Sequence, residues 1–220
     1  EVSEFLPQSI LEKYKLPERK KALPLIHFPK NELHAEAAKK RFAFEKVFLL
    51  QLSRMKRKEE LKNSSGLKIG ASENLRKEFL NLLPFSPTTS QLKAMEDVEK
   101  DLFSGNPMNR LLEGDVGSGK TAIAAYAAFL VAKNGAQATY MAPTEILARQ
   151  HFENFFKLLG SSNVRVGLLT SSISEKFPSK INPKVPTHAS KAQLLKWAKE
   201  MEIHILIGTH SLIEKKVEFK

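Results

Sequence analysis

The segment Gly114-Asp115-Val116-Gly117-Ser118-Gly119-Lys120-Thr121 fits the spacing G-x-x-x-x-G-K-[ST] without a mismatch. Such a match arises by accident in about one chain in a hundred of this length, so its flanks decide what it means. Arg110-Leu111-Leu112 reads as a short apolar strand before it, and Ala122 to Ala132 as a helix former directly after it. Strand, glycine-rich loop, helix is the order a phosphate cradle needs, because the glycines let successive N–H groups curl toward an anion at a helix N-terminus. The pattern implies nucleotide binding. Gly114, Asp115, Val116, Gly117, Ser118 and Gly119 surround the phosphates, Lys120 reaches the β/γ oxygens, and the Thr121 hydroxyl is the candidate ligand for Mg²⁺.

Three further apolar runs end in small hydroxyl residues: Ala138 to Ala142 before Pro143-Thr144-Glu145, Val164 to Leu169 before Thr170-Ser171-Ser172, and Ile203 to Gly208 before Thr209-His210. Helical patterns at Glu145 to Leu159 and Ser190 to Met201 separate them. Alternating strands and helices predict an α/β fold with a parallel sheet and all strand ends on one edge, where open sheets bind ligands. Each threonine taken singly also fits a helix N-cap; the repetition favours a functional rim. His151, Phe152, Phe155, Phe156 and Leu159 recur as the core face of a helix rather than as a base-stacking platform.

The first third reads differently. Pro7, Pro17, Pro24 and Pro29 break it into short pieces, and then no Pro or Gly occurs from Asn31 until Gly66. A helix from Glu32 to Lys62 would span about 45 Å at 1.5 Å per residue. Phe44, Val47, Phe48, Leu52 and Met55, widened by Phe42 and Leu49, form its apolar stripe, with Lys39, Lys40, Arg41, Lys46 and Arg54 mainly off it. Residues 63–72 read as a linker, Ser72 as the cap of a short helix from Glu73 to Leu82, and the fold boundary as falling after Leu83. His27 has no second metal-type residue at a useful spacing and reads as a packed or capping residue.

The chain carries 35 basic and 24 acidic residues, a net charge of +11. Residues 1–80 hold an excess of seven positive charges and 171–220 an excess of four, with a neutral middle. Such a surface suits a polyanion, since Lys and Arg neutralise phosphates and release counterions. Arg54-Met55-Lys56-Arg57-Lys58 is either a solvated helix end or a phosphate contact. The absence of cysteine excludes a disulfide framework, a zinc finger and a thiol nucleophile, and is compatible with a cytoplasmic location. No apolar run reaches the length of a membrane span.

Pro143-Thr144-Glu145-Ile146-Leu147-Ala148-Arg149-Gln150-His151, Gly208-Thr209-His210-Ser211-Leu212-Ile213 and the Gly114 to Thr121 loop resemble motifs Ia, Ib and I of superfamily 2 helicases, in order and separation. Pro107 to Thr121, with Thr88-Thr89-Ser90-Gln91 upstream, is similar to the RecG family within them. Ile26-His27-Phe28-Pro29 and Arg41-Phe42-Ala43-Phe44-Glu45 resemble that family's segment joining a DNA wedge domain to the motor. The resemblance implies a RecA-like P-loop NTPase domain over 84–220, incomplete, preceded by an α-helical joining segment over 1–83. It implies ATP and Mg²⁺ as cofactors, forked or branched DNA as substrate, and Gln91 and Phe85 as adenine contacts. It further implies that Pro143, Thr144, Glu145, Thr170, Ser171, Thr209 and His210 face DNA. The expected partners are a wedge domain, a second RecA-like lobe and single-stranded-DNA-binding protein.

Ser171 stands where that family more often has Gly, Glu113 where it more often has Gln, and Ile173 to Ser190 reads as a longer, mobile loop. A P-loop ATPase also needs an acid at the end of a later strand to hold Mg²⁺ and position water. No Asp follows Asp115, and neither Glu145 nor Glu202 stands where that acid belongs. The expectation is a fragment of a larger helicase that binds nucleotide and DNA without turnover. A P-loop kinase and a non-catalytic DNA- or nucleotide-binding module are the alternatives.

Overall fold

A computed structural model of the chain describes residues 2–179, 182, 183, 185–214 and 217–219, with the backbone alone at 61–63. It divides into two compact units, Glu1–Ser64 and Ser65–Lys220, so the boundary falls inside the expected linker.

The first unit holds α1 (Gln8–Tyr14), α2 (Arg19–His27) and α3 (Glu32–Asn63). Phe44 and Phe48 of α3 pack against the buried Leu6, Leu11 and Leu16, and the Phe44 ring lies 4.9 Å from Tyr14. The predicted stripe ends there: Val47, Leu49, Leu52 and Met55 are exposed. Arg41, expected off the stripe, is instead wholly buried. Its guanidinium meets Glu4 at 2.7 Å and Glu45, one turn on, at 2.8 Å, so its charge is neutralised where it is desolvated.

The second unit begins with α4 (Glu73–Leu82) and α5 (Thr89–Phe103), capped by Ser72 and by a Thr88–Gln91 capping box. Phe79 of α4 packs on Tyr126 and Phe129 of α6 (Lys120–Lys133), at 4.9 and 5.4 Å between ring centroids. That contact places α4 with the second unit rather than before the boundary expected after Leu83. Arg76 and Tyr126 converge on the Glu99 carboxylate; burial and the Glu99 charge push the Tyr126 hydroxyl well above its ordinary range.

The sheet follows: β1 (Ala138–Met141), α7 (Glu145–Leu159), β2 (Val166–Leu169), β3 (Ser174–Phe177), β4 (Thr187–His188), α8 (Lys191–Lys199) and β5 (Ile205–Gly208). Its order is β1-β5-β2-β3-β4. The three strands joined by helices are parallel, as expected, whereas β3 and β4 add on antiparallel, so the sheet is mixed. The helix α7 carries its predicted core face, with Phe152, Phe155 and Leu159 buried.

Two expectations are corrected. The segment read as a mobile loop, 173–190, supplies the β3–β4 hairpin, although residues 180, 181 and 184 lie outside the described residues. Packing explains it: Phe177 stacks on Phe156 at 4.7 Å, and the Lys176 ammonium lies 4.6 Å over the Trp197 ring and pairs with Glu202 at 2.6 Å. Conversely, Arg110-Leu111-Leu112 forms no strand, and Leu111 is 81% exposed. A trough of about 540 Å³ separates it from β1, floored by α6, so it has no ladder partner in reach.

Candidate functional site

The glycine-rich loop turns where its sequence allows it. Gly117 and Gly119 take φ values of 80° and 85°, a left-handed conformation that side chains disfavour. The loop is solvent-facing from Gly114 to Ser118. No side chain caps the N-terminus of α6, which leaves its first amides for an anion. The Lys120 Nζ donates to the carbonyls of Gly114 and Asp115, each at 2.7 Å, so the ammonium already lies over the mouth of the loop. Thr121 follows it in the first turn.

Gln91 meets this loop from behind. Its Nε2 donates to the Ser118 carbonyl at 2.8 Å, while its Oε1 accepts from the Thr88 N–H at 2.9 Å. A Cβ on Gly119 would come within 2.4 Å of that Nε2, so a side chain there would displace the Gln91 amide as well as strain the φ. Both ends of the Gln91 amide are thereby occupied by protein. The other expected base contact, Phe85, is half-exposed and opens onto a pocket of about 480 Å³ beside the loop. Leu82, Leu83 and Pro84 form one wall, Thr121, Ala122 and Ala125 of α6 another, and Asn154 and Lys157 of α7 stand at its mouth. Sequence reasoning missed those two; they are three apart on the polar side of α7, a spacing that the core stripe left unexamined.

The helix α6 runs into β1 through a short connection and packs on it, so its N-terminus lies at the end of the sheet where β1 stops. Register fixes what else gathers there. Met141 of β1 pairs with Gly208 of β5, and Gly208 with Leu169 of β2. The three parallel strands therefore end side by side, and Pro143-Thr144, Thr209-His210 and Thr170-Ser171 leave from one rim. A Cβ on Gly208 would lie 2.1 Å from the Leu169 carbonyl, which is why the strand end preceding Thr209 is glycine.

The rim residues are not equivalent. Pro143, Thr144 and His210 are exposed and Thr209 partly so. The Thr144 hydroxyl accepts from Leu147 N–H at 3.3 Å, so it caps α7 as its simplest reading had it. Thr170 departs from expectation: it is 1% exposed, and its hydroxyl accepts from the Ile173 N–H at 2.9 Å inside its own turn. The exposed hydroxyls at this point are those of Ser171 and Ser172, and both donate to Glu145. Those hydroxyls, Ser171 first, hold the Glu145 carboxyl far below the ordinary carboxylate range, down to about 2.

Residues 88–219 match the DEAD/DEAH box helicase family. The chain belongs to that family. Among curated relatives it is 38% identical over 99% of its length to the ATP-dependent DNA helicase RecG of Aquifex aeolicus, of which it spans 26%. It is 38% identical over 98% of its length to the RecG of Bacillus subtilis, of which it spans 30%. Among solved structures it superposes over its whole length, with a TM-score of 0.75 and 36% identity, on 28% of a chain described as RecG bound to a three-way DNA junction. The chain thus spans between a quarter and a third of the proteins it matches.

Proposed function

We propose that these residues are the nucleotide-binding and DNA-facing part of the first motor domain of an ATP-dependent DNA helicase acting on forked or branched DNA. The observation that carries this reading is the register Met141–Gly208–Leu169, which brings three resemblance-implied DNA segments onto one rim next to the N-terminus of α6. The glycine loop, the uncapped α6 amides and the Lys120 ammonium fit a triphosphate, and the pocket beside Phe85 fits its base. When bound, Mg²⁺ would neutralise charge between the terminal phosphates; Thr121 would hold it from this chain.

Glu145 is committed to Ser171 and Ser172, so it does not replace the acid that positions water. We assign that acid to a strand elsewhere in the longer protein, seated in the trough between β1 and Leu111-Leu112. The 220 residues alone therefore bind nucleotide and DNA without turnover. The test is steady-state ATP hydrolysis with and without forked DNA, with Lys120→Ala as the blank. The full-length protein is expected to show DNA-stimulated turnover that the substitution abolishes, and the 220-residue chain none above blank. Turnover indifferent to DNA would overturn the helicase reading.

A further inference from the structure

Glu145 stands at the first turn of α7, immediately after the strand end of β1, yet its carboxylate does not serve its own helix. It reaches the turn after β2, which lies two strands away, about 10 Å in strand spacing, with the end of β5 between them. There Oε1 accepts from the Ser171 N–H at 2.9 Å, the Ser171 hydroxyl and the Ser172 N–H at 3.3 Å, and Oε2 accepts from the Ser172 hydroxyl at 2.7 Å. Two peptide amides and two hydroxyls of this turn thus converge on one carboxylate.

We propose that Glu145 is a positioning residue that ties the segment after β1 to the segment after β2, so that the two DNA-facing loops hold one shape around the end of β5. The proposal rests on the helicase reading and alters one part of it. Glu145 was expected to face DNA through the resemblance; its lone pairs are instead spent on protein donors, and a carboxylate offers nothing attractive to a phosphate. The serine at 171, which departs from the family's more frequent glycine, finds its reason here, since glycine would remove one of the hydroxyl donors.

The experiment is equilibrium binding of a labelled forked DNA by the full-length protein, followed by fluorescence anisotropy at fixed salt. Glu145→Gln keeps the side-chain length and one acceptor oxygen, and is expected to bind within about threefold of wild type; Glu145→Ala releases the turn and is expected to bind about tenfold more weakly. Ser171→Ala combined with Ser172→Ala removes the two hydroxyl donors while leaving the two peptide N–H donors on Oε1, so it is expected to weaken binding by less than Glu145→Ala, and it keeps the test open if Glu145→Ala does not fold. Adding Glu145→Ala to that pair is expected to bring the loss only to that of Glu145→Ala alone, because residues acting through one link are non-additive. Tighter binding by both Gln and Ala variants would show the carboxylate to be a repulsive neighbour of phosphate, and unchanged binding by Ala or additive losses in the triple variant would equally overturn the proposal. Failure of the wild type to bind forked DNA removes the helicase reading itself, which separates that outcome from the others.

Discussion

Gln91 has a structural task that its motif did not announce. Its amide is divided between the Ser118 carbonyl and the Thr88 N–H, so it shapes the phosphate loop, with a second N–H and a second lone pair left over. Gln91→Ala should therefore weaken ATP, ADP and GTP alike, by about five- to tenfold for a net loss near 1 kcal/mol, measured by calorimetric titration; a loss confined to adenine nucleotides would instead make base contact its main role. Glu145 gives a second residue-scale prediction through its titration. Hydrogen bonds from Ser171 and Ser172 lower its folded value from 4.5 to about 2. A depressed carboxylate stabilises the fold above its unfolded value and loses that contribution as protons bind. The difference in stability between wild type and Glu145→Gln should accordingly be constant above about pH 5 and close as pH falls from about 4.5 toward 2, as read from acid-unfolding curves. A difference that persisted unchanged to pH 2 would mean that the carboxylate gains nothing from its four donors.

At the scale of elements, the parts legible in the sequence are those whose cause is local. The phosphate loop is dictated by its own glycines, and α7 spans Glu145–Leu159 as its 3.6-residue pattern required. What escaped depends on partners distant in the chain. Arg41 reads as surface until Glu4, 37 residues away, is seen to neutralise it. The strand expected at Arg110-Leu111-Leu112 has the composition of a strand but no neighbour to pair with, and a ladder is not a property of one segment. The hairpin at 174–188 is the reverse case: Pro178, Pro183 and Pro186 suggest a loop, while Phe177 anchors β3 by stacking on Phe156 of α7. Truncating that 6%-exposed ring should cost about 3 kcal/mol, the lower end for a buried phenylalanine. Chemical denaturation of Phe177→Ala measures it. A cost under about 1 kcal/mol would mean that the hairpin is an ornament on the sheet rather than part of its packing.

For the molecule as a whole, the helicase reading makes the charge distribution a matter of DNA affinity. The rim built by β1, β5 and β2 is rich in hydroxyls and poor in cations, His210 being its exposed basic side chain at the strand ends and Arg149 lying further along α7. Most of the excess of +11 lies before residue 81, and part of it sits on α3, whose side chains from Leu49 to Glu60 are all exposed. On the helicase reading the two features would have separate tasks: the rim would orient a strand, and the basic helix would supply sequence-independent attraction. Each neutralised phosphate steepens the dependence of log affinity on log salt by about 0.9. Replacing Arg54, Lys56, Arg57 and Lys58 with Gln in the full-length protein should flatten that slope by about two units or more and weaken all DNA sequences equally. Thr209→Ala on the rim carries no charge and should lower affinity while leaving the slope unchanged. A slope untouched by the four substitutions would make Arg54 to Lys58 a solvated helix end, and the search for the phosphate-neutralising surface would move to the nine lysines after residue 170.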